Sequence, residues 1–162
     1  MTRISQASAA DASAILALQK LAFQYEAEIY DDFTIPPLVQ SLDSLRQTFA
    51  NHVFLKAVAD GQLVGSVRAS QDGQTCLVGR LIVHPGYRRR GIGTELMRRI
   101  EARFEQAVRF ELFTGHSSAG NLRLYTRLGY REFRREETSP KVTLAFMEKI
   151  RRWERPRASP RV

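Results

Sequence analysis

Apolar residues recur along the chain with two alternating periods. Arg3-Ile4-Ser5-Gln6 predicts a short opening strand. Ile15, Leu16, Leu18, Leu21, Ala22 and Tyr25 then recur near every 3.6 residues, which predicts a helix capped by Asp11 or Ser13. Pro36-Pro37 interrupts the chain, and Leu38, Leu42, Leu45 and Phe49 share a phase that predicts a second, shorter helix over 38–49. Val53–Ala59 and Gln62–Ala69 read as strands joined by an Asp60-Gly61 hairpin turn. A turn at Gln71-Asp72-Gly73-Gln74 leads to the apolar run Cys76–Val83, suited to a central strand and ended by His84-Pro85-Gly86-Tyr87. Thr94–Ala107 predicts a helix with Leu96, Met97, Ile100 and Phe104 on one face, and Val108–Thr114 a strand. Ala119–Leu128 predicts a helix stopped by Gly129, which suits the left-handed position after a helix end. Tyr130–Arg135 and Val142–Met147 close the chain as strands, the latter read as a sheet edge with a surface for a homodimer.

The element order is strand, two helices, three strands, helix, strand, helix, two strands. No repeat or linker divides it, so the expected class is α+β (mixed α/β), one domain around one sheet. The hairpin-joined strands predict mostly antiparallel pairing, and the strand–helix–strand stretch at 76–114 predicts a local parallel pair. The domain is expected over 2–150, followed by a basic, flexible tail over 151–162.

Composition narrows the class. The chain has 162 residues, 43% apolar and 26% charged, enough for one sizeable core and too apolar for disorder. No stretch approaches the roughly 18 apolar residues of a spanning helix. Met1–Ala12 lacks an apolar segment, so no signal peptide is expected. One cysteine, Cys76, excludes an internal disulfide framework, and three scattered histidines (His52, His84, His116) give no metal-ligand spacing. A reducing cytoplasm fits this usage. The net charge of +8 has two foci: residues 88–103 carry six arginines against two glutamates, and residues 151–162 carry five arginines against Glu154. A local cationic cluster of the first kind suits a phosphate-bearing ligand.

That cluster lies in Leu81-Ile82-Val83-His84-Pro85-Gly86-Tyr87-Arg88-Arg89-Arg90-Gly91-Ile92-Gly93-Thr94. A strand ends, a glycine-bearing loop follows and a helix begins, so unpaired helix-start amides face outward beside three arginines. Glycines at 91 and 93 let an anion approach the backbone closely. Two common phosphate motifs do not fit. Ile92-Gly93 stands where a P-loop needs Lys-Ser/Thr, and Leu96 stands where a dinucleotide fingerprint needs its third glycine.

The spacing Arg88-x-x-Gly91-x-Gly93 after an apolar strand resembles the acyl-coenzyme-A-binding motif of the GNAT superfamily of N-acyltransferases, Gln/Arg-x-x-Gly-x-Gly/Ala. Asn121-Leu122-Arg123-Leu124-Tyr125-Thr126-Arg127-Leu128-Gly129-Tyr130 resembles that family's downstream helix-and-strand segment, and the element order matches over residues 2–148. The resemblance implies a GNAT-like sheet of about six or seven strands flanked by about four helices, with its central parallel strands splayed into a cleft. It implies acetyl-CoA as cosubstrate and no metal. It places the pantetheine arm along Leu81, Ile82 and Val83, and the pyrophosphate on the amides of Arg88, Arg89, Arg90, Gly91, Ile92 and Gly93, with Thr94 just inside the helix. Asn121 matches a cofactor-contacting position. Tyr125 matches a tyrosine that contacts the cofactor and protonates the departing thiolate, and the Val83 amide is the expected donor to the thioester oxygen. Read without the resemblance, Asn121 also suits a polar position at a helix start and Tyr125 a core aromatic.

The implied activity is N-acetyl transfer from acetyl-CoA to a primary amine of a small molecule, by direct attack in a ternary complex. For the acceptor, Tyr25-Glu26-Ala27-Glu28-Ile29-Tyr30-Asp31-Asp32 is acidic, and Glu28 and Asp31 lie one helical turn apart. They are the expected acceptor-side carboxylates, although the same residues also read as a solvated helix end. Three alternatives stand beside this reading. One is acetylation of a peptide or protein. Another is non-catalytic sensing of acyl-CoA. The third is a basic nucleic-acid-binding module, against which stands the lack of a reader motif or interleaved aromatics.

Overall fold

The computed structural model describes residues 1–151; the expected basic tail, from residue 152 on, lies outside them. Seven strands form one sheet: β1 (Arg3–Gln6), β2 (Val53–Ala59), β3 (Gln62–Asp72), β4 (Thr75–Val83), β5 (Arg109–Gly115), β6 (Arg131–Glu137) and β7 (Thr143–Ile150). Their order is β1-β2-β3-β4-β5-β7-β6, and every pair is antiparallel except β4–β5. The α+β class and the single parallel pair agree with the sequence pattern.

Among the described residues, five helices flank the sheet: α1 (Ala12–Tyr30), α2 (Pro36–Val39), α3 (Leu42–Thr48), α4 (Ile92–Ala102) and α5 (Ala119–Arg127). On one face α4 and α5 pack over β2–β5, where Val67, Val78, Leu96, Met97, Phe110 and Tyr125 share the main core. On the other face Ile15, Leu18 and Ala22 of α1 meet Phe54, Ile82 and Leu45 of α3 in two smaller clusters. Cys76 lies in the main core, where burial pushes its thiol up to about 12.

Several boundaries differ from the sequence pattern, each for a local reason. The helix expected over 38–49 is two. Gln40 is extended, and Ser41 starts a new helix by accepting the Ser44 N–H on its hydroxyl at 3.1 Å. Pro36-Pro37 does not merely interrupt the chain; it occupies the first helical turn of α2, where no N–H is needed. α1 runs past Tyr25 to Tyr30, and Asp31 ends it in the left-handed conformation. α4 starts at Ile92 and stops at Ala102. Phe104 and Ala107 continue the apolar phase through a tighter turn, with Phe104 N–H bonded to the Glu101 carbonyl. The last strand is not an edge: β7 is bonded to β5 and β6, and the edge on that side of the sheet is β6, all of whose residues are exposed. The surface expected on Val142–Met147 for a homodimer is therefore internal to the sheet.

One close approach joins the two halves. The Tyr30 ring at the end of α1 lies against Gly115 at the end of β5, and a Cβ there would come within 1.9 Å of the tyrosine oxygen. Gly115→Ala is therefore expected to displace the end of α1 and cost about 1–3 kcal/mol of stability, read as a lowered Tm in thermal unfolding.

Candidate functional site

The site begins with an incomplete strand pairing. β4 and β5 share only the register pairs Thr75–Arg109, Cys76–Phe110 and Leu77–Glu111, then diverge. Beyond Leu77, β4 is bonded on one side only, to β3. The His84 N–H donates to the Val64 carbonyl at 2.7 Å, toward β3. Polar groups of successive strand residues point in opposite directions, so Leu81 and Val83 present their N–H and C=O groups to the gap.

A bulge shapes the same strand. Ser66 pairs with Ile82 and Arg68 with Gly79, so Val67 faces both Arg80 and Leu81. Arg80 takes a φ of 53°, the left-handed region that a non-glycine residue enters at a cost. Without the bulge Arg80 would follow Cys76 and Val78 into the main core. With it, Arg80 turns toward α2, while Leu81 and Val83 pack on the core and Ile82 meets α1.

The loop after β4 is a run of unpaired donors. His84 Nδ1 accepts the Gly86 N–H at 2.9 Å, closing a one-turn 3-10 helix over Pro85–Tyr87, and the Tyr87 hydroxyl donates to Asp60. Arg89 and Gly91 are both left-handed, with φ of 62° and 79°. The first bond of α4 runs from the Glu95 N–H to the Gly91 carbonyl at 3.0 Å. The amides of residues 88–94 donate no hydrogen bond among the described residues. A Cβ at Gly93 would meet only ordinary van der Waals neighbours, the nearest at 3.6 Å, so internal packing does not itself demand glycine. Seven consecutive free amides at a helix start form an anion nest.

The gap and the nest belong to one open cleft of about 850 Å³, also walled by Ala22, Phe23, Tyr25 and Glu26 of α1 and by the start of α5. Of the expected cofactor residues, Leu81, Ile82, Val83, Arg88, Arg89, Gly91, Ile92, Gly93, Thr94 and Asn121 line it. Arg90 turns aside, its guanidinium 4.8 Å from the centre of the Tyr87 ring.

Tyr125 is packed in the core, its ring edge-on to Tyr130 at 6.0 Å, and its hydroxyl has no hydrogen-bond partner among the described residues. Burial, with the facing charge of Glu26 adding to it, pushes its phenol well above the usual value. It stays protonated and is a donor.

Glu28 and Asp31 do not meet in the cleft. Glu28 is exposed on α1, and Asp31, its side chain 91% exposed, caps that helix and faces Lys141 at 3.9 Å. The carboxylate that does reach the cleft is Glu26. The Ser118 hydroxyl donates to Glu26 Oε2, and Asn121 Nδ2 donates to Glu26 Oε1 at 3.4 Å and to Thr114 Oγ1 at 3.3 Å. Burial raises the Glu26 pKa above the usual range, opposed by the Ser118 bond and the nearby Arg88 charge. The sequence signal for Glu26 was its place in the stripe Leu18, Ala22, Glu26, Tyr30, each four residues from the last. Ser118, buried immediately before α5, also lines the cleft. His116 is tied to the Thr143 carbonyl through Nδ1 at 3.0 Å. Glu111 is paired with Arg109 at 2.9 Å.

A mixed sheet forked at its one parallel pair, with an anion nest at the mouth of the fork, defines an α+β class built to hold a phosphate-bearing ligand. The profile of the acetyltransferase (GNAT) family matches residues 15–130. The chain belongs to that family. Among solved structures it is similar to the PaiA N-acetyltransferase of Thermoplasma acidophilum in complex with coenzyme A. That likeness is 20% identical with a TM-score of 0.79, over 93% of this chain and 99% of that one. It is also similar to the ribosomal-protein-S18-alanine N-acetyltransferase of Escherichia coli (18%, TM-score 0.74, 98% and 99%). A third likeness is to YncA of Salmonella typhimurium, crystallised with acetyl-CoA (20%, TM-score 0.72, 98% and 99%). A curated relative, the UPF0157 protein YqkA of Bacillus subtilis, is 29% identical over 121 residues; the match covers 73% of this chain and about a third of that protein's length. Among the described residues no helix is long and apolar enough to cross a membrane, and no three His, Cys, Asp or Glu side chains cluster as a metal site.

The raised Glu26 pKa has a consequence for stability. The folded state holds the proton more tightly than the unfolded chain, so stability falls as pH rises from the ordinary Glu range through the raised folded value. Glu26→Gln keeps an acceptor for Ser118 and removes the buried charge. Its Tm is expected to exceed that of the wild type near pH 8, and the difference to shrink toward about pH 4, measured by thermal unfolding across that range.

Proposed function

We propose that the protein is an N-acetyltransferase that moves an acetyl group from acetyl-CoA to a primary amine of a small molecule, by direct attack in a ternary complex. The observation that carries this reading is the run of seven unpaired amides, 88–94, at the mouth of a fork whose inner strand offers the free backbone of Leu81 and Val83. The nest suits a pyrophosphate, because amide–oxyanion bonds are charge-assisted, and Arg88 and Arg89 add positive charge at the cleft wall. The free strand edge suits the amide-bearing pantetheine arm, which would bond to it as a further strand does. Asn121, at the opposite wall, is the polar side chain available to the same arm. Family membership and the coenzyme A complexes of similar structures support the same assignment.

When bound, acetyl-CoA supplies a thioester whose C–S bond is exchanged for a C–N bond to the amine. The chain provides three functions for that exchange. The Val83 N–H, open to the gap, donates to the carbonyl oxygen as it gains charge. Glu26, raised in pKa toward neutrality by burial, takes the proton that an ammonium must lose before its nitrogen can attack. Tyr125, held protonated, gives its hydroxyl proton to the departing sulfur and regains one from the attacking nitrogen, which sheds its second proton as the amide forms. Glu28 and Asp31, outside the cleft, have no part in this reading.

A small acceptor is favoured by how the cleft is crossed. The Ser117 N–H donates to the Tyr30 hydroxyl at 2.9 Å, and Ser118 bonds to Glu26, tying the end of α1 to the start of α5. These ties interrupt the continuous groove that an extended peptide would need.

Titration calorimetry with coenzyme A and thiol release from acetyl-CoA with a panel of amines and peptides test the reading. Micromolar binding that Gly91→Ala weakens is expected, because alanine strains the left-handed position; absence of binding removes the assignment. Tyr125→Phe should lower kcat by about 100-fold while coenzyme A affinity is kept. Glu26→Gln should lower kcat and abolish the acid limb of the kcat/KM profile. Unchanged rates in either variant would reassign that role.

A further inference from the structure

Two arginines face the side of the sheet covered by α1, α2 and α3, and neither meets a carboxylate. Arg68 comes from β3, opposite Gly79, and Arg80 is the bulged residue of β4. Arg80 Nη1 donates to Gln40 Oε1 at 3.3 Å. The same oxygen accepts from Gln19 Nε2 at 3.0 Å, and that nitrogen also donates to the Pro37 carbonyl at 2.9 Å. The Arg68 guanidinium lies 5.9 Å from the centre of the Phe54 ring, and its Nη1 is fully buried with no hydrogen-bond partner. Neither side chain forms an ion pair among the described residues. Burial lowers both pKa values, and the Arg68 charge lowers that of Arg80 further, to about 10. His52, the titratable group near Arg68, is pushed toward neutrality by burial and by that arginine.

Such a pair is costly to keep. A buried cation without a carboxylate loses hydration that an amide or ring contact only partly replaces, and two such cations repel each other. Apolar side chains of similar volume would serve packing better. The position explains the retention. Arg80 lies between Leu77, where β4 and β5 part, and Val83, about 10 Å farther along the strand by its rise per residue. Ile82, on the same face as Arg80, lines the cleft, and Gln19 lies one turn before Ala22 and Phe23, which also line it. The pair therefore lies beside the base of the fork, at the end opposite the anion nest and set back from the residues that line the cleft.

We propose that Arg68 and Arg80 recognise an oxyanion, a carboxylate or a phosphate, on the same acceptor molecule whose amine is acetylated. The proposal rests on the N-acetyltransferase reading and narrows its acceptor to zwitterions that carry both an amine and an oxyanion. Glu26 answers the ammonium and the guanidinium forks answer the oxyanion, which they can engage with parallel N–H···O bonds.

Three measurements decide it. The first compares kcat/KM for amino acids, ω-amino acids and aminoalkyl phosphates with the same skeletons carrying a carboxamide. The oxyanion should raise kcat/KM by about 10- to 100-fold, the range of a charge-assisted contact, and the carboxylate and phosphate members separate the two sources. Equal rates overturn the proposal. The second measures Arg68→Met and Arg80→Met. Each should raise KM for the oxyanion acceptor by a similar factor and leave kcat and the coenzyme A dissociation constant near wild type, with Arg68→Met at an equal or higher Tm. An unmoved KM in both, or a lowered Tm with loss of coenzyme A binding, overturns it. The third does not depend on turnover. Inorganic phosphate should raise the Tm of the wild type more than that of the Arg68→Met/Arg80→Met double variant, which keeps the same nest. Equal shifts overturn the oxyanion site, whereas failure of coenzyme A to bind the wild type overturns only the acetyltransferase reading.

Discussion

The parting of β4 from β5 after three paired residues is the constraint on which the rest of the site depends. A strand in the middle of a sheet normally spends its N–H and C=O groups on two neighbours. Here the inner strand has only one neighbour beyond Leu77, and the free side opens into a cleft. Unpaired backbone is tolerated where water or a ligand can satisfy it. The run of free amides at 88–94 continues the same condition around the loop and into α4. Strand edge and helix start together offer two stretches of free main-chain donors, separated by residues 84–87, whose amides are bonded within the fold or, at Pro85, absent.

The bulge at Arg80 links this surface to the opposite face of the sheet. One left-handed residue reverses the side to which Arg80 points and keeps Leu81 and Val83 on the core. The same insertion thus anchors the cleft wall and sets a guanidinium beside the base of the fork. On the far wall α1 is held by side chains: Tyr30 fits the space left by Gly115 and accepts the Ser117 N–H, and Glu26 accepts from Ser118. The carboxylate nearest the cleft is therefore fixed by α5, an element almost a hundred residues later in the chain.

What could be read from the sequence was what is local. The strand–loop–helix at 76–102 is written in an apolar run, two glycines and a helix phase, and the nest follows from backbone geometry alone. β2, β3, β4, β5 and β7 were visible as apolar or alternating runs between turn residues, whereas β1 and β6 carry few apolar residues. Elements whose position depends on distant partners were not. Glu26 differs from Glu28 in sequence only by lying on the stripe of Leu18, Ala22 and Tyr30, and the packing of α1 against Ser118 turns one into the cleft and leaves the other in solvent. The pairing of Arg80 with Arg68 depends on a bulge that no residue pattern announces. The edge strand was misplaced because β7 inserts between β5 and β6, an order that chain sequence does not dictate. The break at Gln40 was hidden because Leu38, Leu42, Leu45 and Phe49 keep a helical phase across it.

Cys76, the sole cysteine of the chain, has a further consequence. It is sealed in the main core with its ionisation pushed up to about 12, so almost no thiolate is present at physiological pH. Peroxides and electrophiles attack the thiolate form, and here they meet neither the charge nor an access path. The folded protein is thereby inert to oxidative modification at sulfur other than its methionines, and in a reaction mixture any sulfhydryl that titrates comes from the cosubstrate rather than from the catalyst.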